Sequence, residues 1–109
     1  YFKPNSNWIK DGAKFVGYFW NGSGNKWTEL ADTDGDGIYE CNLGNWTPTK
    51  VIYLRKDPAG YVYNNWTCWN RIGNITIPSG KNFYTMADGV WSQQIESGSG
   101  YTGGTWTTK

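Results

Sequence analysis

Three aromatic residues at short spacing, Tyr18, Trp20 and Trp27, are the groups in this sequence best suited to do chemistry, and that chemistry is non-covalent. Tyr18 and Trp20 lie two apart, so in an extended segment both rings point to one side. Trp27 follows across a turn-forming stretch. An indole or phenol offers a flat apolar face with a polar edge. A sugar ring complements it: its axial C–H face stacks on the aromatic while its hydroxyls reach nearby amides and charges. The whole chain is skewed toward such rings, with eight Trp and eight Tyr against four Phe in 109 residues. Phe, Leu, Ile and Val would fill a small core as well, so the excess of Trp and Tyr points to exposed rings, although part of the set must still pack inside.

Stacking alone tolerates many orientations, so polar groups must fix the sugar. Lys56, Asn70 and Arg71 are the candidates: Lys56 ends the strongest strand pattern, and the other two close an Asn-rich loop. Each could equally be a solvated surface side chain. Trp66 and Trp69, in the same loop, are either a second aromatic contact or the pins that hold the loop down. Covalent chemistry finds little support. His is absent, leaving nine carboxylates and two thiols. Glycoside hydrolysis needs two acids across a cleft with separated pKa values, whereas Asp32, Asp34, Asp36 and Glu40 crowd one turn and the segment after it. The chain is therefore read as non-enzymatic.

The run from Asp32 to Glu40 has acids at positions 1, 3, 5 and 9 of a calcium-type loop with Gly at 6, but Leu43 takes the twelfth place where an EF-hand carries Glu. An EF-hand is excluded. Either Asp32, Asp34 and Asp36 cap their own backbone in a Gly-rich turn, or they hold a calcium ion; no cofactor is required.

The elements that must position these groups are short and extended. Fifteen Gly, four Pro and no sustained helical period predict many short strands joined by tight turns. Tyr1–Lys3 reads as a first strand stopped by Pro4, with a turn at Asn5–Asn7. Lys14–Asn21 is the next strand, with Phe15, Gly17 and Phe19 on one face and Val16, Tyr18 and Trp20 on the other. A turn over Asn21–Asn25 leads to an extended run at Lys26–Leu30, so Trp20 and Trp27 flank one hairpin loop. Ile38–Leu43 and Lys50–Lys56 are further strands, the latter central by its β-branched content. Asp57–Arg71 is long enough for a functional loop. Isoleucines recur at 72, 75 and 77, and Asn82–Met86 and Val90–Ile95 complete the pattern before a Gly- and Ser-rich segment and a last strand near Trp106. Residues 95–109 are expected to be partly flexible.

One domain over residues 1–109 is the expectation for this length. A net charge of +1 lacks the clustered basic face that nucleic acid requires. No apolar stretch is long enough to span a membrane, and the chain reads as a piece of a larger polypeptide. Cys41 and Cys68 form one disulfide or stay free; Cys41 fits the pattern of a small buried hydrophobe.

Taken in order, Tyr1-Phe2-Lys3-Pro4 with Trp8, Tyr18-Phe19-Trp20 with Trp27, Asp32 to Glu40, Val51-Ile52-Tyr53-Leu54-Arg55, Trp69-Asn70 and Tyr84 to Trp91 resemble the family 26 carbohydrate-binding modules. These are starch-binding domains attached to bacterial extracellular amylases, and the resemblance runs over nearly the whole chain. It implies an all-β, immunoglobulin-like β-sandwich of antiparallel strands that binds starch, amylose, amylopectin and malto-oligosaccharides without catalysis. Glucose would stack on Tyr18, Trp20 and Trp27. It also implies an extracellular or bacterial cell-surface setting beside other domains of a larger secreted or cell-surface protein. Where family members often carry Gln-Thr after Trp-Asn, this chain has Arg71-Ile72, so either Arg71 donates to the hydroxyls instead or the polar contact has shifted. Two competing readings remain: a cell-surface module whose aromatics make protein contacts, and a module for a flat β-glucan.

Overall fold

The structure is a computed structural model that describes residues 1–94 and 104–109. The described residues form β1 (Phe2–Lys3), β2 (Lys14–Asn21), β3 (Gly24–Leu30), β4 (Lys50–Lys56), β5 (Asn70–Thr76), β6 (Phe83–Met86), β7 (Gln93–Gln94) and β8 (Gly104–Thr107), with a 3₁₀ turn at Lys10–Gly12. Two sheets result, ordered β3-β2-β4-β5-β7 and β1-β6-β8. The fold is all-β, as the turn-rich composition predicts, and the long pairings β2·β3, β2·β4 and β4·β5 are antiparallel.

Several expectations change in detail. The β1·β6 and β5·β7 pairs are parallel, against the antiparallel expectation; each involves a two-residue strand reached by a long connection, so no hairpin dictates its direction. Ile38–Leu43 forms no strand. Its backbone divides between partners, with Tyr39 exchanging bonds with Phe2 at 2.7 and 2.8 Å and Glu40 bridging Ala31. The first hairpin is tighter than the five-residue turn expected, since Asn21 pairs with Gly24 and the Asn21 Oδ1 accepts from the Ser23 amide at 2.8 Å. Val90–Ile95 contributes only Gln93–Gln94 to a described strand; Ile95 and the Gly- and Ser-rich segment to residue 103 lie outside the described residues. Within the stretch expected to be partly flexible, Gly104–Thr107 is a strand on β6.

The core draws on both sheets: Phe2, Trp8, Phe15, Phe19, Leu30, Val51, Tyr53, Ile72, Ile75, Tyr84 and Met86. Phe2 stacks on Tyr53 at 4.1 Å between ring centroids, and Tyr53 stacks on Tyr84 at 5.7 Å, so rings from β1, β4 and β6 form one pile. Gly17 faces this core between Phe15 and Phe19, and a Cβ there would collide with the Phe19 ring. Strict alternation cannot put both Ile72 and Ile75 inside. A bulge in β5, with Asn74 at φ 54°, inserts the extra residue that brings both to the core.

Candidate functional site

Alternation along β2 sends Val16, Tyr18 and Trp20 away from the core, and register places Trp27 directly opposite Tyr18 and Ile52 on its other flank. This outer face includes Val16, Tyr18 and Trp20 from β2, Trp27 and Glu29 from β3, Ile52, Leu54 and Lys56 from β4, and Arg71 from β5. Val16 and Leu54 are fully buried yet stand outside the core cluster. The loop over residues 57–69 meets this face through Trp66, against Tyr18 and Trp27, and through the Asn65 and Thr67 oxygens that bind Lys56.

That loop also completes an aromatic cluster. Trp66 sits 4.9 Å from Tyr18 and 4.6 Å from Trp27, while Tyr18 lies 4.7 Å from Trp27 and 5.6 Å from Trp20. The interplanar angles run from 39° to 65°, so the rings form a curved set rather than a flat one. Trp66 is 45% exposed and the other three are half-buried, which leaves polar-edged ring surface open to a ligand. The Arg71 guanidinium stands 5.7 Å over Trp66, with its donors near the exposed rings. Trp66 thus belongs with Tyr18, Trp20 and Trp27. The sequence marks it only as an aromatic in a long loop, because the chain must close over the sheet before the contact exists.

Lys56 and Asn70 take other places. Lys56 is 2% exposed, and its Nζ donates to the Asn65 carbonyl and Oδ1 at 2.7 Å each and to the Thr67 carbonyl at 2.9 Å. All three ammonium protons are engaged, so Lys56 anchors the loop that presents Trp66, and its Nζ lies 5.9 Å from the Trp27 ring. Desolvation by this burial lowers its pKa, opposed by nearby Cys68. Asn70 alternates to the opposite face. There its Oδ1 accepts from Arg55 Nη1 at 3.1 Å and its Nδ2 donates to Ser92 Oγ at 3.1 Å. Lys56 and Arg71 both lie against rings of the aromatic cluster, but the Lys56 donors are spent on the loop.

Tyr61 of the same loop neighbours Glu29 of β3, and burial first, then the Glu29 carboxylate, pushes its phenol up to about 12. Trp69 turns the other way, onto Arg55: the guanidinium stacks 4.8 Å from Trp69 and 5.2 Å from Trp91.

The acidic run folds as a capped turn. Asp32 Oδ1 accepts from the Gly35 and Asp36 amides, Asp32 Oδ2 from Gly37, Asp34 Oδ1 from Asp36, and Asp36 Oδ1 from Ile38. The three carboxylates offer oxygens within 4.8 Å of one another, a donor type that suits calcium, but every one already serves the backbone. Hydrogen bonding within the trio raises the Asp34 carboxyl, and the Ile38 amide lowers that of Asp36. Both cysteines are free thiols, each with its pKa raised by burial. A cavity of about 720 Å³ opens elsewhere, lined by Phe19, Cys41, Trp46, Ile77 and Trp106 among others. No member of the Tyr18 cluster lines it.

The chain matches no family model, no curated protein and no solved structure.

Proposed function

We propose that this domain is a non-catalytic module that binds starch and malto-oligosaccharides through the Tyr18, Trp20, Trp27 and Trp66 rings, with Arg71 supplying hydrogen bonds to the sugar. The single observation that carries this reading is the tilt of the rings. An α-1,4-glucan coils, so successive glucoses present their faces at changing angles, and a set inclined by 39° to 65° suits that curvature better than the flat ribbon of a β-1,4-glucan. Each stacked ring contributes about 1 kcal/mol beyond the area it buries, so a single domain binds with modest affinity. Attachment to a second module would raise it.

The two sheets sharing one core fit an immunoglobulin-like β-sandwich, the frame that the resemblance implies. The module's place is then extracellular or on a bacterial cell surface, where it holds an attached or partner amylase on amylose or amylopectin. The absence of His from the sequence and the engagement of the clustered acids with their own turn favour binding over hydrolysis. This reading requires no cofactor; calcium held by Asp32, Asp34 and Asp36 would stiffen the turn rather than contact the sugar.

Affinity electrophoresis tests the reading. The domain should be retarded in gels containing amylopectin, unaffected by a soluble cellulose derivative, and released by added maltoheptaose. Equal mobility in all gels would favour the protein-contact alternative, and retardation by the cellulose derivative alone would assign a flat glucan.

A further inference from the structure

The second pair of exposed indoles has a construction of its own. Trp69 and Trp91 are each 41% exposed and both stack on the guanidinium of Arg55, which is itself 3% exposed. Four hydrogen bonds fix that guanidinium: Nε to the Trp8 carbonyl at 2.9 Å, Nη1 to Asn70 Oδ1 at 3.1 Å, and Nη2 to the Lys10 carbonyl at 2.8 Å and Asp11 Oδ2 at 3.1 Å. The Trp91 carbonyl is tied down as well, accepting from Trp8 Nε1 at 2.7 Å. Each indole therefore has one face backed by a rigid cation and other surface open to solvent. Two preorganised rings lose little freedom when a ligand stacks on them.

We propose that Trp69 and Trp91 form a second stacking site for an α-glucan, on the core-side face of the five-stranded sheet, away from the Tyr18 cluster. The inference rests on the glucan-binding reading of the first site. The rim identifies the ligand class. The Asp11 side chain is 70% exposed, the Lys10 ammonium stands 5.8 Å over Trp91, and the Asn70 amide meets the Ser92 hydroxyl at 3.1 Å. An acid, an amine, an amide and a hydroxyl around two indoles match a neutral, polyhydroxylated ring with an apolar face. The core of a protein interface is depleted of Lys and Asp, the two charges that rim these indoles. Arg55 is committed to positioning the indoles and is not a sugar ligand. Because alternation separates the two sites across the sheet, one module can hold two glucan segments, and retention on a polymer then exceeds the affinity of either site.

Indole N–H resonances of the ¹⁵N-labelled full chain, titrated with maltoheptaose, test this. The Trp20, Trp27 and Trp66 signals should shift with one binding curve, and the Trp69 and Trp91 signals with another that persists in Trp27→Ala. Trp91→Ala, which keeps the carbonyl bonded to Trp8, should reduce the sugars bound per chain from two to one while the Trp27 signal still titrates. The spectrum itself reports whether each variant is folded, and Trp20→Ala serves if Trp27→Ala is not. Shifts confined to the Tyr18 cluster overturn this inference and leave the first site standing, whereas no shift in any indole removes the glucan reading and this inference with it. Trp69 and Trp91 shifts that follow protein concentration without sugar would make this face an interface between copies and overturn the proposal.

Discussion

Arg55 and Lys56 are consecutive residues of β4, both buried and both positively charged, yet they hold opposite faces of the same sheet by different means. Arg55 spreads four bonds over the Trp8 to Asp11 segment and Asn70, pairs with the Asp11 carboxylate at 3.1 Å, and lies against two indoles. Among the described residues, Lys56 pairs with no acid. It satisfies three protons with neutral oxygens of Asn65 and Thr67. Burying a charge costs several kcal/mol unless its donors are met, and both residues meet their donors by closing a segment that lies outside the two sheets. The pair shows how an all-β frame holds the segments outside its sheets: Lys56 fixes the loop that carries Trp66, and Arg55 fixes the Trp8 to Asp11 segment while giving the exposed Trp69 and Trp91 a common cation to lie against.

The comparison yields a ranked set of expected effects. Arg55→Met should be the most damaging single change, costing about 2–3 kcal/mol in urea unfolding, because it strands the buried Trp8 carbonyl and unties Asn70 from the Trp8 to Asp11 segment. Lys56→Met should cost only about 1–2 kcal/mol, since the loop oxygens it leaves can turn to water. Were Lys56→Met the costlier, the two anchors would have to be ranked the other way. For sugar binding the order reverses. Lys56→Met frees the loop that carries Trp66 and should weaken maltoheptaose binding about tenfold, roughly the 1.4 kcal/mol of one stacked ring, whereas Trp69→Ala should leave the Trp27 titration unchanged.

Smaller effects sharpen the contrast. Asp11 is largely exposed, so Asp11→Asn should cost no more than about 1 kcal/mol, with little dependence on salt thereafter; a larger loss would mean that charge, rather than the guanidinium's fork of donors, fixes Arg55. The smallest effect concerns pH. The Tyr61 phenol is raised to about 12 in the folded chain, so folding favours its neutral form. Its contribution to stability is complete below its unfolded pKa of about 10 and is lost as pH climbs toward 12. Denaturation followed over that window should show an alkaline decline that Tyr61→Phe reduces.

The strands that carry the first site were legible because their pattern is local. Lys14–Asn21 alternates cleanly, and Tyr18 and Trp20 share a face at the predicted spacing. What escaped the pattern depends on non-local closure. Lys56 has the same period as an exposed strand residue and is buried only because the 57–69 loop folds over it. Asn70 and Arg71 look equivalent in sequence, but one step of alternation sends them to opposite faces. Trp91 gives no local sign that it will share a guanidinium with Trp69. The spacing of Ile72 and Ile75 conceals a bulge, and Ile38–Leu43 alternates like a strand although its backbone bonds go to two different partners.

Calorimetric titration of the domain with maltoheptaose beside cellohexaose, repeated on Trp66→Ala, tests the central claim most directly. The account predicts heat with the malto-oligosaccharide alone and a loss of about tenfold in affinity at the Tyr18 cluster in the variant. No heat with maltoheptaose, or equal binding of both sugars, would contradict it.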